Sequence, residues 1–564
     1  MGYIESFAFW VNADLPESVQ QELNIIKDNH EELKSSFNGD LQFGTAGMRG
    51  IMGVGSNRLN RYTVRRAAQG MAAWLSSTEL PQRAAIGYDS RHNSQLFAEI
   101  CAVAFAEKGI ETYLFDRLAP TPMLSYAVRE LNCGCGIVIS ASHNSGEYNG
   151  VKCYGPDGCQ MTDEPAAIVT KMISTIPFFV PEEKSFAQFM EEGAIHYIEQ
   201  DLWERYYVTV LNEAVDAAAI RESGLNVVYT PLCGTGNEPV REVLGRLGAN
   251  IHVVSCQEKP DGDFKTCEYP NPETDAALNE SYHVARENPC DVILGTDPDC
   301  DRVAIAVPDG DGFRKLSGNE LGCLLMDYVL NARSQRNDIP ENAIVVRSIV
   351  SSPLADRIAE NYGVTMKAVL TGFKYIGGEI LALEQIGQED RFVFGFEESC
   401  GYLKGTYARD KDAVVASMLV CEMAAVLKKQ GKTILDAVAE MYAKYGYYLA
   451  YVQSVELSGA DAMEKAANMM TELRNNAPAS IGGATVTKVC DYRSGIAKNM
   501  LTGEEQSIDL PRSNVLEFVL GNQGSLIARP SGTEPKVKFY YTAVGEDEAA
   551  ASALLDAMKA QMSV

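Results

Sequence analysis

An alternation of short apolar runs with helical patterns constrains the fold of this chain more than any other feature. The runs include RAAIGYDSR, which ends in Asp89 and Arg91, as well as GIVISASHN and LNVVYTPLCGTG. Strands that alternate with helices predict parallel α/β layers whose two faces are covered. In such sheets ligands bind beyond the carboxyl ends of the strands, so the polar residues there are the candidates for function.

The length of the chain and a change of pattern near its end predict several domains. The 564 residues exceed one hydrophobic core, because domains usually hold about 100–200 residues. An early apolar periodicity predicts a single helix between Asp14 and Leu33. After residue 450 the pattern becomes α+β, and a final helix carries Leu554, Met558 and Met562. We expect four domains, at residues 1–205, 206–320, 321–450 and 451–564.

Charge and composition exclude several classes of partner. The chain has 49 Lys and Arg against 76 Asp and Glu, and this net charge of −27 repels nucleic acid and anionic membranes. Its apolar runs fall short of the ~18 residues of a membrane span, and no secretory signal is evident. Its 14 cysteines lack metal-ligand spacing, which is typical of reduced thiols in a cytoplasmic protein. Because the net charge is strongly negative, an anionic ligand would need a local basic pocket.

Three aspartates alternate along the stretch GTDPDCDRVAIAV, at Asp297, Asp299 and Asp301. Three carboxylates so close repel one another unless a cation joins them, and oxygen ligands favour Mg²⁺ over zinc. In a flat strand the outer two would lie ~13 Å apart, so one shared ion requires the backbone to curl. The sequence therefore predicts that the three aspartates bind one Mg²⁺.

The same stretch has three other interpretations. An EF-hand loop is rejected, because Arg302 and Pro308 stand where that loop needs Gly and Glu. The Asp-x-Asp-x-Val pattern of haloacid-dehalogenase-like phosphatases matches Asp299, Asp301 and Val303, and it would make Asp299 a nucleophile. A solvated acidic loop is disfavoured, because an apolar strand flanks the stretch on each side.

Ser142 and His143 follow an apolar strand, and Lys152 comes soon after them. A serine hydroxyl is a poor nucleophile unless a base or a metal activates it. The G-x-S-x-G elbow of hydrolases is absent here, so these residues alone fit a turn serine at least as well. The other motifs of the chain change this balance.

Further loops carry side chains that suit phosphate or sugar. In RPSGTEPKVKFYY, Arg529 can clamp phosphate, and the Ser and Thr hydroxyls and the Gly backbone can add hydrogen bonds. In GFEESCGY, Glu397 can accept hydrogen bonds from sugar hydroxyls. Lys374 and Arg49 lie in Gly-bounded loops. A Gly-Lys-Thr triplet at 431–433 is not a phosphate loop, because a helix precedes it and its first Gly is missing.

Together these motifs closely resemble the α-D-phosphohexomutase superfamily. SASHNSGEYNGVK is similar to its phosphoserine loop, DPDCDR to its metal loop, GFEESCG to its sugar loop and RPSGTEPKVKFY to its C-terminal phosphate loop. They follow the order of the family over nearly all 564 residues, and the length, the long N-terminal helix and the Phe in GFEES look like the phosphoglucomutase/phosphopentomutase-like branch. Ser140 and Ser145 replace the family's Thr and Pro, which removes no reacting group.

The resemblance implies an α/β fold with four domains around a central active-site cleft. Three would be related α/β units with mixed sheets, and the last a C-terminal α+β domain. It also implies an isomerase that interconverts glucose 1-phosphate and glucose 6-phosphate, with one Mg²⁺ per chain and glucose 1,6-bisphosphate as activator. Mannose or pentose phosphates, or a Mg²⁺-dependent phosphatase activity, remain alternatives. Small-molecule partners and a cytoplasmic monomer or homodimer are expected.

The resemblance also implies roles for individual residues. Ser142 would carry the phosphoryl group, and its phosphate would share the metal with Asp297, Asp299 and Asp301. The residues expected to act on the transferring group are Ser142, His143, Lys152, Arg49 and Arg302. The residues expected to hold the sugar and its distal phosphate are Lys374, Glu397, Ser399, Arg529, Ser531, Gly532 and Thr533.

Overall fold

The computed structural model describes residues 2–44, 47–458, 462–531 and 536–562. The chain divides into two compact units, which are described separately. Unit 1 comprises residues 1–318, 376–394 and 399–431, and unit 2 comprises residues 319–375, 395–398 and 432–564. Within the described ranges, no helix is both long enough and apolar enough to cross a bilayer.

Unit 1 begins with three short helices: α1 (Tyr3–Val11), α2 (Glu17–Ile26) and α3 (His30–Phe37). The single helix predicted between Asp14 and Leu33 is therefore wrong. Asn29 interrupts it, because its side chain accepts a hydrogen bond from the Glu32 N–H at 3.1 Å and so begins a new helix. The break lets the three helices bury one apolar cluster around Trp10.

The first sheet of unit 1 is mixed, with the strand order β1-β5-β4-β2-β3-β6. Strands β2, β3, β4 and β6 are parallel, and β5 runs antiparallel to β1 and β4. The strands are β1 (Gly47–Ile51), β2 (Arg83–Tyr88), β3 (Glu111–Phe115), β4 (Cys135–Ile139), β5 (Tyr148–Tyr154) and β6 (Ile195–Ile198). The helices among them are α4 (Arg61–Ser76), α5 (Ser94–Ala106), α6 (Thr121–Glu130), α7 (Asp163–Thr175) and α8 (Phe186–Glu191).

The second sheet of unit 1 is also mixed, with the order β11-β10-β9-β7-β8. Strands β7, β8 and β9 are parallel, and β10 runs antiparallel to both of its neighbours, β9 and β11. The strands are β7 (Asn226–Thr230), β8 (Asn250–Val253), β9 (Val292–Thr296), β10 (Val303–Asp309) and β11 (Gly312–Lys315). The helices are α9 (Gln200–Asn212), α10 (Ala217–Ser223), α11 (Asn237–Arg246) and α12 (Asp275–Glu287), with a 3₁₀ turn at Ser255–Gln257.

The next part of the chain continues the alternation, and β12 and β13 pair in parallel. The strands are β12 (Ile344–Ser348), β13 (Thr365–Val369), β14 (Phe392–Glu397) and β15 (Gly401–Leu403). The helices are α13 (Gly318–Arg336), α14 (Leu354–Asn361), α15 (Phe373–Glu384), α16 (Ala413–Lys429) and α17 (Ile434–Tyr445), with a 3₁₀ turn at Glu389–Arg391. Thr433 caps α17 by accepting the Asp436 N–H at 3.1 Å, which explains the Gly-Lys-Thr triplet without a phosphate.

The C-terminal sheet of unit 2 is antiparallel throughout, in the order β16-β24-β23-β22-β19-β20-β21. Its strands are β16 (Tyr447–Glu456), β19 (Lys488–Asp491), β20 (Ile496–Asn499), β21 (Glu505–Ser507), β22 (Leu516–Val519), β23 (Gly524–Pro530) and β24 (Lys536–Gly545). A small hairpin joins β17 (Ser480–Ile481) to β18 (Ala484–Thr485), and a 3₁₀ turn spans Gly521–Gln523. Helices α18 (Ala462–Asn475) and α19 (Glu548–Met562) pack on the sheet, and Met558 is buried as predicted.

The predicted fold class is confirmed: α/β units with mixed sheets precede an α+β module. The sheets are mixed because β5 and β10, each the second strand from one edge of its sheet, run antiparallel to both of their neighbours. The boundaries at residues 205, 320 and 450 remain predictions.

An ion cluster in unit 1 predicts a pH-dependent contribution to stability. Glu384 accepts from Arg129 at 2.7 Å and from Arg409 at 2.9 Å, and hydrogen bonding with Arg129 is the main reason why its pKa falls from 4.5 to about 2. A carboxyl with a lowered folded-state pKa stabilises the fold above its unfolded pKa and loses that effect as the pH falls through the folded pKa. The window here runs from pH 4.5 down to about 2.

We therefore expect Glu384→Gln to destabilise the protein by about 1 kcal/mol at pH 7, a value discounted because the carboxylate is partly exposed. For a unit of this size this corresponds to a loss of about 1 °C in Tm, and the loss should roughly halve at pH 3. Thermal unfolding at both pH values measures it. Glu222→Gln, which removes an exposed ion pair with Lys429, is the control. An equal Tm loss at both pH values would contradict the expectation.

Candidate active site

The loop after β4 holds Ser142 in an unusual conformation. Ser142 has φ of +53°, in the left-handed region, and is only 3% exposed. Its N–H donates to the Ser140 hydroxyl at 2.8 Å. Ser140 stands where the family has Thr, and this hydroxyl is the group that the two residue types share. A left-handed non-glycine residue costs roughly 1–2 kcal/mol, so the surrounding contacts must maintain it.

The loop between β9 and β10 curls, as a shared ion requires. Cys300 adopts φ of +54°, and the Cys300 N–H donates to the Asp297 carbonyl at 2.9 Å. The curl brings one carboxylate oxygen from each of Asp297, Asp299 and Asp301 to within 4.8 Å of one another, and all three residues are buried. The three carboxylates therefore lie much closer together than a flat strand would place them.

The serine loop and the aspartate loop meet directly in unit 1. The Ser142 hydroxyl donates to Asp297 Oδ2 at 2.8 Å and lies 3.1 Å from His143 Nδ1. The other oxygen of Asp297 accepts the N–H groups of Asp301 and Arg302 at 3.1 and 3.0 Å. Ser142 and the loop that carries Asp297, Asp299 and Asp301 therefore form one cluster.

Two buried lysines balance the charge of the aspartates. Lys152, which β5 supplies, donates to Asp299 Oδ2 at 2.5 Å and to Asp301 Oδ2 at 3.2 Å. Lys411 lies 3.2 Å from the same oxygen of Asp301 and 3.0 Å from Asp410. Buried charges of one sign are tolerable only beside the other sign, so the lysines and the acids require one another.

The titration of the three acids follows from this arrangement. Burial raises the pKa of Asp297 well above its usual value, and the charges of Asp299 and Asp301 raise it further. Burial also opposes ionisation of Asp299 and Asp301. The combined effect of the nearby cations and hydrogen bonds, with Lys152 foremost among the cations, still holds the pKa of both below the usual value. The cluster therefore holds concentrated negative charge beside a serine hydroxyl.

The donor set fits a hard divalent cation. Asp299 Oδ1 and Asp301 Oδ1 are buried and, among the described residues, have no hydrogen-bond partner. Buried carboxylate oxygens without partners are rare in folded proteins unless an ion or a water completes them. Oxygen donors alone match Mg²⁺ better than zinc or copper. The residues that could hold such an ion are Asp297, Asp299 and Asp301, with the Ser142 side chain beside them.

The remaining predicted residues of unit 1 lie around the same cluster. Arg49 donates to the Asn144 side chain at 2.9 Å, because β1 pairs with β5 and so approaches the serine loop. Arg302 donates to Glu273 at 2.6 Å, which turns its guanidinium toward that carboxylate. Burial lowers the pKa of His143 well below its usual value, and Arg302 and Arg49 lower it further. Its imidazole is therefore neutral near pH 7.

The predicted sugar and phosphate residues fall mostly in unit 2. Glu397 is buried and accepts the Gly372 N–H at 2.7 Å, and the Lys374 ammonium lies 5.0 Å from the Tyr375 ring centre. Ser399 is a partly exposed turn residue that belongs to unit 1. Arg529 ends β23 and Ser531 follows it. Gly532 and Thr533 lie outside the described residues.

Within unit 2 the Glu397–Glu398 turn and Arg529 share a neighbour, Tyr540. Burial raises the pKa of this phenol, the charge of Glu398 raises it further, and a hydrogen bond with Arg529 opposes them. The Ser531 N–H donates to the Lys536 carbonyl at 2.8 Å, at the start of β24. Arg529 and the Glu397–Glu398 turn thus belong to one part of unit 2.

Sequence reasoning missed two residues of the cluster, Lys411 and Thr121. Lys411 lies in the charged stretch YARDKDA, where buried positions are not expected from composition. The Thr121 hydroxyl donates to Asp299 Oδ2 at 2.8 Å, and its N–H donates to the Asp299 carbonyl at 2.9 Å. The Thr-Pro start of α6 is an ordinary sign of a helix N-terminus, so the sequence does not reveal that Thr121 also contacts Asp299. Only the fold does.

Four domain descriptions of one protein family match the chain in order. All four are phosphoglucomutase/phosphomannomutase domains. They are alpha/beta/alpha domain I over residues 40–179, domain II over 204–310, domain III over 317–445 and the C-terminal domain over 491–560.

Curated relatives are similar over most of their length. A phosphoglucomutase of Staphylococcus epidermidis is 36% identical over 524 residues, which cover 92% of this chain and 94% of the relative. A phosphoglucomutase of Staphylococcus haemolyticus is 37% identical over 510 residues, which cover 90% of this chain and 91% of the relative.

Solved structures share the fold at lower identity. The open form of pp63/parafusin, a phosphoglucomutase from Paramecium, has a TM-score of 0.68 at 16% identity and covers 92% of this chain and 94% of its own. A phosphoglucomutase/phosphomannomutase family protein from Burkholderia thailandensis has a TM-score of 0.66 at 16% identity, over 92% and 97%. At these identities the likeness concerns the fold alone.

Proposed function

Because the chain belongs to the phosphoglucomutase/phosphomannomutase family, we propose that it is a phosphohexomutase that interconverts glucose 1-phosphate and glucose 6-phosphate. One observation carries the proposal: the Ser142 hydroxyl lies 2.8 Å from Asp297, in a cluster of three buried aspartates that can hold a cation. The curated relatives named above are phosphoglucomutases, which supports glucose as the sugar.

In the proposed first half of the reaction, Ser142 begins as phosphoserine. A hydroxyl of the hexose phosphate attacks the phosphorus, the bond from phosphorus to Ser142 Oγ breaks, and a hexose 1,6-bisphosphate forms. The attacking hydroxyl gives up its proton as the new bond forms, and the Ser142 oxygen takes up a proton in its place. His143 is proposed to orient Oγ and to exchange that proton, because its neutral imidazole lies 3.1 Å away and can donate or accept.

The chain's own cations would stabilise the charge that develops during transfer. Lys152 lies beside the aspartates, and Arg49 contacts Asn144, two residues after the phosphorylated serine. Arg302 adds a third positive charge nearby. A Mg²⁺ bound to Asp297, Asp299 and Asp301 would supply Lewis-acid neutralisation of the phosphoryl oxygens. Fixed charges in a buried site act strongly because they need no reorganisation.

In the second half, the bisphosphate turns end for end and returns its other phosphoryl group to Ser142. The distal phosphate must therefore be held in both orientations. We assign this role to Arg529 and Ser531, with Gly532 and Thr533 of the same motif, because guanidinium groups bind phosphate bidentately. Lys374, Glu397 and Ser399 would contact the sugar. Glucose 1,6-bisphosphate would act as activator, because it phosphorylates a serine that has lost its phosphate.

We propose that the protein acts in the cytoplasm and that its partners are small sugar phosphates. All 14 cysteines, which lie within the described residues, are free thiols, and this supports a reducing compartment. The formal charge of −27 makes nucleic acid and anionic membranes unsuitable partners. The proposed assembly is a monomer or a homodimer.

A coupled assay tests the proposal with glucose 1-phosphate, mannose 1-phosphate and ribose 1-phosphate, each primed with its own bisphosphate. We expect glucose 1-phosphate to have the highest kcat/KM, by roughly tenfold or more over mannose 1-phosphate. The two differ at one hydroxyl, and a hydrogen bond to a charged group contributes about 1.5–3 kcal/mol. A higher value with ribose 1-phosphate would make the chain a phosphopentomutase. Phosphate release without isomerisation would refute the mutase.

A further inference from the structure

Arg91 is a buried residue that the proposed mechanism does not use. It follows β2 at the strand end where the sequence places Asp89 and Arg91, and it is only 3% exposed. Its guanidinium Nε lies 3.2 Å from Asp89 Oδ2 in an ion pair, and its backbone N–H donates to Asp89 Oδ1 at 2.9 Å. Asp89 in turn accepts the Ser94 hydroxyl at 2.8 Å, so the guanidinium is anchored on its strand side.

The other side of the Arg91 guanidinium grips the serine loop by its backbone. Nη2 donates to the carbonyls of Ser142 and Asn144 at 2.6 and 2.5 Å. Nη1 donates to the carbonyls of Ser145 and Tyr148 at 2.7 and 3.0 Å. One side chain thus satisfies four carbonyls of residues 142–148, which only the forked guanidinium, with its five donors, can do.

A second loop of unit 1 covers this contact. The Phe264 ring lies 4.9 Å from the guanidinium carbon of Arg91 and is 2% exposed. Gly146 packs closely against Gly262: a Cβ added at Gly146 would lie 2.6 Å from the Gly262 carbonyl oxygen. The cover keeps water from the Arg91 bonds, and a charge-assisted hydrogen bond is stronger where the local dielectric is low.

We propose that Arg91 is a positioning residue: its guanidinium fixes the backbone of residues 142–148 so that the Ser142 side chain remains directed at the aspartates. It acts through carbonyl groups and touches no reacting atom. Without it, four carbonyls of the serine loop, two of them in buried hydrogen bonds, lose a partner, and the left-handed conformation of Ser142 loses one of its supports. This inference rests on the proposed function, in which Ser142 carries the phosphoryl group.

The consequence for turnover is specific. The same Ser142 oxygen gives the phosphoryl group in the first half reaction and receives it in the second, so misplacement should lower kcat equally in the two directions. A displacement of about 1 Å at a reacting atom can cost ~10²-fold in rate. The groups proposed to bind the sugar and the distal phosphate are untouched, so KM should change little.

The experiment compares Arg91→Lys with Arg66→Lys in the full chain. Arg66 is a matched control, because its guanidinium is also buried and donates to the carbonyls of Ile173 and Ile176 and to Asp40, on other elements of unit 1. Hydrogen exchange of peptides over residues 140–150 is measured without substrate, together with Tm, kcat and KM. Phe264→Leu, which keeps Arg91 and thins its cover, is the second variant.

We expect Arg91→Lys to speed exchange of residues 140–150 by tenfold or more and to lower kcat by ~10²-fold in both directions, with KM within threefold. Phe264→Leu should have a smaller effect of the same kind, and Arg66→Lys should leave that exchange unchanged. The inference is overturned if exchange in Arg91→Lys matches wild type, or if both Lys variants lose Tm and kcat alike. If the wild type does not isomerise sugar phosphates, the proposed function fails, and the exchange data still decide whether Arg91 holds the loop.

Discussion

Ser142→Ala is expected to lower the mutase kcat by at least ~10³-fold, a loss of about 4 kcal/mol of transition-state stabilisation. The substitution removes the only oxygen that the proposed mechanism uses to carry the phosphoryl group between the two ends of the sugar. The Ala side chain keeps the Cβ and leaves the hydrogen bonds of Arg91 to the loop backbone possible, so the fold should persist. The measurement is the coupled glucose 1-phosphate assay, together with ³²P incorporation from labelled bisphosphate.

Ser174→Ala is the matched control for this variant, because Ser174 is an exposed serine on α7 whose hydroxyl donates only within its own helix. It should keep full activity and full labelling. Wild-type label should be on serine, stable to hydroxylamine, whereas an aspartyl phosphate would be released by it. Near-normal turnover of Ser142→Ala would refute the assignment. Phosphate release that survives in Ser142→Ala, with label on Asp299, would favour the phosphatase.

Asp299→Asn is expected to lower kcat by ~10³-fold and to weaken Mg²⁺ binding by at least ~10-fold. Asp299 accepts from Lys152 and Thr121 and is fully buried. Its loss removes one anionic oxygen ligand and leaves the Lys152 ammonium with less negative charge around it. Calorimetric titration with Mg²⁺ measures binding independently of turnover, and the coupled assay measures kcat.

Asp201→Asn is the control for the metal experiment. Asp201 is an exposed acid that pairs with Arg205 on α9, so its removal changes the net charge equally and should alter neither Mg²⁺ affinity nor kcat. Unchanged Mg²⁺ affinity in Asp299→Asn would show that the aspartate cluster does not hold the ion. A loss of affinity in both variants would point to the overall charge of the protein instead.

Much of the candidate site was predictable because its residues occur in short, ordered motifs. Asp297, Asp299 and Asp301 lie within five consecutive positions, and their mutual repulsion alone predicts a cation. Strand ends in an α/β fold mark where such residues gather, and this pointed to Ser142 before any contact was known. The mixed sheets and the α+β end of the chain likewise agree with the local patterns.

Other features depended on contacts between distant parts of the chain. Lys411 and Thr121 carry no motif that links them to the aspartates, yet both contact that cluster. The predicted long N-terminal helix failed because Asn29 stabilises a helix start more than the apolar periodicity stabilises continuation. Burial and side-chain partners, rather than local preference, decided these cases.

The amino-acid sequence alone determined the family and the α/β class, and it predicted the serine and the three acids of the candidate site, since each depends on residue types at fixed spacing. Only the tertiary structure decided that Ser142 contacts Asp297 across 155 positions of chain, that two lysines balance the acids, and that Arg91 grips the serine loop. The reason is physical: spacing along the chain specifies local backbone geometry, whereas a buried charge or carbonyl finds its partner only when separate elements pack.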